Sequence, residues 1–189
     1  KKEIIKDIEL YENLLRPANY PLGVPGKGSI VFKTIDNLKI GVLNLAGRVY
    51  MQNIDCPFRV AKREIENLKK QTKIIIVDFH AEVTSEKNAL AWYLNGEVSA
   101  ILGTHTHIQT ADEKILSGGT AYITDVGMTG PQDSVIGVKK EIAIQRFLLQ
   151  MPSKFDVASD DIFLCGAILD IDENTGKARS IERLQRKLC

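Results

Sequence analysis

The sequence predicts an α/β fold built on a mixed sheet, and three features predict it. Ile74-Ile75-Ile76-Val77 is an unbroken β-branched run, the pattern of a strand covered on both faces. A helical pattern precedes this run and another follows it before the next apolar strand, so helix and strand alternate through the middle of the chain. The chain closes on two strand-like arms around Glu173-Asn174-Thr175-Gly176, which has the composition of a hairpin turn.

Residues 2–12 read as a helix that lacks a Ser, Thr, Asp or Asn cap. Arg16-Pro17-Ala18-Asn19-Tyr20-Pro21 and Pro25-Gly26-Lys27-Gly28 are loop chemistry. Short strands are expected near 29–35 and 39–45, with the turn at Asp36-Asn37. Asn44 to Asp55 has mixed polarity and reads as irregular. Pro57 then opens a helix with Asp55 near its cap. Phe58, Ala61, Ile65 and Leu68 form its apolar face, and Lys62, Arg63, Glu64, Glu66, Lys69 and Lys70 form a solvated one.

Beyond Val77, the segment Asp78-Phe79-His80-Ala81-Glu82 sits at the C-terminal end of the buried strand. A helix over about 85–94 follows, with Thr84 or Ser85 as cap and Asn95-Gly96 as stop. Val98 to Leu102 is a strand that ends at Gly103-Thr104-His105-Thr106-His107. Thr120 to Asp125 is another, followed by the loop Gly127-Met128-Thr129-Gly130-Pro131. Residues 139–150 read as helical, and 162–172 and 177–184 are the arms of the closing hairpin. No internal repeat or low-complexity linker divides the chain, so 1–189 reads as a single domain.

A chain of 189 residues can bury a real core, and 44% hydrophobic with 26% charged residues is ordinary for a globular protein. With 25 basic against 24 acidic residues the net charge is +1, which argues against a broad surface for duplex nucleic acid or an anionic membrane. No apolar run reaches bilayer-spanning length, and the charged start Lys1-Lys2-Glu3-Ile4-Ile5-Lys6-Asp7 has no signal-peptide core. Cys56, Cys165 and Cys189 are odd in number and irregular in spacing, so neither a disulfide framework nor a CxxC zinc knuckle is expected. They read as reduced thiols of a cytoplasmic protein.

All three histidines lie directly after predicted buried strands: His80 in one segment, His105 and His107 in the other. Neutral imidazole is a common metal ligand. In an extended segment residues i and i+2 point to one side, so His105 and His107 are expected to face the same site. The three residues form the candidate metal set, and the chemistry of imidazole alone names no metal. Asp78, Glu82 and Asp125 are nearby carboxylates that could accept from the second imidazole nitrogen.

Three stretches then carry a specific resemblance. Val77-Asp78-Phe79-His80-Ala81-Glu82-Val83-Thr84-Ser85-Glu86-Lys87, Gly103-Thr104-His105-Thr106-His107-Ile108-Gln109-Thr110-Ala111-Asp112 and Thr124-Asp125-Val126-Gly127-Met128-Thr129-Gly130-Pro131 closely resemble the YmdB-type metallophosphoesterases. Leu15-Arg16-Pro17-Ala18-Asn19-Tyr20-Pro21 and the closing hairpin fit the same family. The resemblance implies a calcineurin-like fold of two packed mixed β-sheets flanked by helices. It implies two metal ions, Fe or Mn ahead of Zn, with His80 and His105 on one and His107 on the other. It also implies hydrolysis of a phosphodiester, foremost a 2′,3′-cyclic nucleotide, by a metal-activated water.

The family's first strands supply an Asp, a Glu and an Asn as ligands, and a nearby histidine assists the leaving group. None of these has a counterpart here, and the shortfall is on the order of 60 residues, about two βα units. The chain is therefore expected to be the C-terminal two-thirds of such an enzyme, inactive alone and without an identifiable catalytic acid. The competing expectation is a non-catalytic metal- or nucleotide-binding module with a single three-histidine site, or a subunit completed by a partner. The partners expected are a small phosphodiester substrate and, as a further option, a second copy in a homo-oligomer.

Overall fold

A computed structural model describes residues 7–188. Residues 2–6 of the helix expected over 2–12 lie outside the described residues, and from Ile8 onward, where the helix was expected to continue, the chain runs through turns. Strands β1 (Ser29–Lys33) and β2 (Lys39–Ala46) form a hairpin whose turn holds Asn37 at φ 62°. Helix α1 (Pro57–Lys69) leads into β3 (Ile74–His80), and α2 (Thr84–Tyr93) leads into β4 (Ala100–Thr104). The short β5 (Lys114–Ile115) and β6 (Ala121–Ile123) complete a six-stranded mixed sheet in the order β1-β2-β3-β4-β6-β5. Its four central strands are parallel.

A second, antiparallel sheet contains β7 (Gly130–Pro131), β8 (Ile162–Ile171) and β9 (Ala178–Lys187), with α3 (Lys140–Leu149) between β7 and β8. Among the described residues no helix is long and apolar enough to cross a membrane.

The main sheet is covered on both faces, as the β-branched run implies. Alternate residues of a strand point to opposite sides. Ile75, Val77 and Phe79 of β3 pack with Leu43 and Leu45 of β2, Val60, Ala61, Ile65 and Leu68 of α1, and Leu90 and Ala91 of α2. Ile76 and Leu102, on the opposite face, join Leu169, Ile171 and Ile181 of the second sheet. Continued along the same strands, this second face carries Asn44, Asp78, His80 and Thr104. The polar residues therefore leave the helix-facing core intact and collect where the parallel strands end.

Several sequence-based boundaries move. β2 runs as expected through Leu45 and on to Ala46, into the stretch from Asn44 that also read as irregular, because pairing with β3 continues through Asn44↔Asp78 and Ala46↔His80. The cap position of α1 is Cys56 and that of α2 is Val83, neither with a side-chain capping bond, so Asp55, Thr84 and Ser85 do not cap. Asp55 instead exchanges backbone and amide hydrogen bonds with Asn19. Glu86, in the first turn of α2, accepts from the backbone N–H groups of Arg48 and Val49 and so ties the loop after β2 to the helix.

Two constraints fix the strand ends. Gly103 lies so close to the next strand that a Cβ would stand 1.7 Å from the Thr124 carbonyl oxygen, and backbone cannot yield that space. Lys87 of α2 is buried, with Nζ 3.0 Å from Asp125 Oδ2 and both side chains only 1% exposed. Gly103→Ala should lower stability by about 3 kcal/mol, the upper end of ordinary overpacking. Lys87→Met leaves a buried carboxylate without its cation and should cost about 3–5 kcal/mol. Urea denaturation checks both: each variant should show a lower midpoint with an unchanged slope.

Candidate functional site

In open α/β sheets, ligands sit beyond the carboxyl ends of the strands. Here that edge is built from cross-strand neighbours. The register sets Asn44 beside Asp78 and His80 beside Thr104. Asn44 Nδ2 donates to Asp78 Oδ2 at 2.7 Å, and the Thr104 hydroxyl donates to Asp78 Oδ1 at 2.9 Å. Burial raises the pKa of Asp78, while these two hydrogen bonds oppose the rise. Because the only hydroxyl hydrogen of Thr104 goes to Asp78, its oxygen must accept from His80 Nδ1, 3.2 Å away. That bond leaves the Nε2 lone pair of His80 free.

His80 Nε2 faces His105 Nδ1 at 2.9 Å, with the two rings perpendicular and their centroids 4.6 Å apart. His105 Nε2 lies 2.8 Å from Glu82 Oε2, so the carboxylate holds a hydrogen on that nitrogen. Glu82 thus serves His105, across from the strand that carries it, and Asp78 serves His80 through Thr104. Burial first, and then the neighbouring His105, push the pKa of His80 down, which keeps the ring neutral. Two nitrogens this close need a shared proton or a cation between them. Their donor chemistry fits a borderline transition metal, with outer carboxylates orienting both rings.

The segment after β4 is not extended. His105 and His107 have φ of 111° and 68°, so the alternation expected of residues i and i+2 does not apply. Asp125 imposes this shape. Its Oδ2 accepts from the Thr106 backbone N–H at 3.0 Å, the Thr106 hydroxyl at 2.8 Å and Lys87, and its Oδ1 accepts from the Gly127 N–H. Asp125 therefore shapes the histidine loop and contacts neither ring. His107 is exposed and its Nδ1 lies 3.0 Å from the Ile136 carbonyl oxygen. Among the described residues no group of three or more His, Cys, Asp or Glu side chains stands in position to hold a metal. The structure brings together His80 and His105, with Glu82 behind them, and sets His107 to one side.

A cleft of about 500 Å³ opens from the histidine pair and is lined by Pro17, Tyr20, Gly47, Tyr50 and Met51 among others. Two residues that shape it were not singled out from the sequence. Asn19 is fully buried, accepting from the Ala46 N–H and donating to the Ala46 and Asp55 carbonyls, which fastens the 16–21 loop to the end of β2. Gly47 leaves no room for a side chain, since a Cβ would meet Ala81 Cβ and Glu86 Oε2 at 2.6 Å. An Asn between prolines suits an exposed turn equally well, so only the Gly after a strand end was a usable signal.

The chain has relatives among known proteins. The family described as YmdB-like protein matches residues 1–184. A Bacillus subtilis protein named 2′,3′-cyclic-nucleotide 2′-phosphodiesterase is 50% identical over 184 residues, 97% of this chain and 69% of its own length. A crystal structure of a hypothetical protein from Thermus thermophilus superposes with a TM-score of 0.91 at 38% identity, covering 99% of this chain and 72% of that one. A structure described as a novel phosphatase of Mycoplasma pneumoniae gives 0.88 at 38% identity, covering 99% and 68%. The chain spans about two thirds of the length of the named relatives it matches. Matched by the family model over residues 1–184 and 50% identical to a relative over nearly its whole length, the chain belongs to the YmdB-like protein family.

Proposed function

We propose that the protein is a metal-dependent phosphodiesterase that hydrolyses nucleoside 2′,3′-cyclic phosphates. The observation that carries this reading is the convergence of His80 Nε2 and His105 Nδ1 at 2.9 Å, each ring oriented from behind by a hydrogen-bond acceptor. The name of the 50% identical relative supports the substrate class. Divalent-metal dependence follows from the phosphoesterase family, and the finer reading is two ions, Fe or Mn ahead of Zn. His80 and His105 hold one of them and His107 the other. The turning of His107 toward Ile136 supports this split over a single three-histidine site.

Held by His80 and His105 on one side and His107 on the other, such ions would supply Lewis-acid polarisation of the phosphoryl oxygens and a bound water of lowered pKa. The chain's own residues prepare that chemistry. Thr104 and Glu82 each hold a ring hydrogen away from the convergent nitrogens, so both lone pairs point at one place. Asp125 and Lys87 keep the 105–107 loop in its bent shape. The relatives are longer than this chain, which leaves room in a full-length protein for the Asp, Glu and Asn ligands that the resemblance implies.

Metal content and turnover of the full-length protein test the reading. Wild type should hold two ions per chain and release a nucleoside monophosphate from the cyclic substrate. His80→Ala and His105→Ala should each lose bound metal and bring hydrolysis to background while keeping the native circular-dichroism spectrum. One ion per chain would favour the single-site module, and unchanged metal content in His105→Ala would defeat both. Glu82→Ala should weaken metal affinity about 10- to 100-fold by freeing the His105 ring, measured by competition with a chelating dye.

A further inference from the structure

The turn at the mouth of the cleft breaks an ordinary rule. Met51 N–H donates to the Arg48 carbonyl at 3.2 Å and closes a four-residue turn over Arg48–Met51. Its third residue, Tyr50, has φ 59°. Turns with positive φ at this position ordinarily take Gly or Asn, because a bulky side chain there is strained. Nor does burial offset the strain, since Tyr50 is 90% exposed.

The turn itself is held firmly. Glu86 accepts from the N–H groups of Arg48 and Val49, and Gly47 is wedged against Ala81. The fold thus presents an aromatic ring to solvent from a rigid and unfavourable backbone position. Strain of this kind collects at ligand-binding sites, where a side chain must be aimed.

The ring borders the cleft that ends on His80 and His105. Tyr20, Met51 and Ile54 give the cleft apolar walls, and Gln52 adds a polar group. A volume of about 500 Å³ is within the range of small-molecule sites. An apolar, aromatic-edged cleft leading to a phosphate-handling centre suits a flat heteroaromatic group attached to a phosphorylated sugar.

We propose that Tyr50 is a stacking platform for the nucleobase and sets the protein's preference for nucleotides over other cyclic phosphodiesters. The inference rests on the phosphodiesterase reading above and adds the substrate's second anchor. Stacking tolerates any base, so the preference should be for the presence of a base and not for its identity.

The test compares a nucleoside 2′,3′-cyclic phosphate with glycerol 1,2-cyclic phosphate, which has the five-membered cyclic phosphodiester and no base. Full-length, metal-loaded wild type, Tyr50→Ala, Tyr50→Phe and Tyr50→Gly are assayed on both. The ratio of kcat/KM for the nucleotide over the glycerol compound should fall about tenfold in Tyr50→Ala and Tyr50→Gly, mainly through KM for the nucleotide. Tyr50→Phe should keep the wild-type ratio. Tyr50→Gly should also keep or raise the thermal midpoint, because glycine relieves the turn, so a falling ratio there reports the lost ring and not a lost fold. Calorimetric titration with a nucleoside 3′-monophosphate should show a matching rise in Kd. An unchanged ratio and Kd in Tyr50→Gly would overturn the stacking role while leaving the phosphodiesterase reading standing. Wild type that cleaves neither substrate would overturn both.

Discussion

The site depends on one buried ion pair. Removing a lysine and an aspartate from water costs several kcal/mol per ion, and mutual attraction offsets this only where the remaining donors and acceptors are satisfied. Asp125 meets that condition by also accepting from the Thr106 and Gly127 N–H groups and the Thr106 hydroxyl. One carboxylate therefore joins helix α2, the end of β6 and the loop between two histidines. The arrangement is a poor way to gain stability, because a well-packed apolar pair fills such a space more cheaply. It is a good way to fix a loop, because hydrogen bonds to a charged acceptor are directional and strong.

The same economy governs the strands. A parallel sheet covered on both faces would be apolar throughout, and β3 begins that way with Ile74 to Val77. The helix-facing set continues apolar through Phe79, while the other set changes to Asp78 and His80 beyond the reach of the second sheet. Matching changes occur at Asn44 in β2 and Thr104 in β4. In-register parallel pairing then makes these residues neighbours without any loop to position them, which gives the network a rigid base. Glu82, His105 and His107 come from loop backbone, and for the two histidines Asp125 supplies the rigidity.

Local patterns in the sequence were enough for every strand except the two-residue β5 and β7 (the latter on Gly130-Pro131, read as loop), for the three helices of the described residues and for the placing of the histidines after strand ends. They were enough because hydrophobic period and turn chemistry are local properties. What the sequence hid depends on partners distant along the chain. Asp55 had the chemistry of a helix cap, yet Asn19 claims its backbone groups from 36 positions away. Glu82 could be placed near an imidazole but not assigned to His105, because that pairing depends on how the loop after β4 bends. The bend is set by Asp125, 19 positions from Thr106. An extended reading of Thr104 to His107 was the natural default for a segment continuing a strand, and nothing within those four residues contradicts it.

Backbone strain gives the arrangement a further meaning. Seven non-glycine residues among those described have positive φ. Asn37 lies in a hairpin turn and Gln150 at a helix end, where polar residues accept that conformation at little cost. Tyr50, His105, His107 and Ile136 are bulky, and for such residues the conformation is unfavourable. Two of these four, Tyr50 and His105, line the cleft, while His107 and Ile136 are joined to each other by a hydrogen bond to one side of it. At Tyr50 and His105 the strain means that the surrounding packing holds each residue against its local preference, so that the imidazole and the exposed ring are aimed before any ligand arrives.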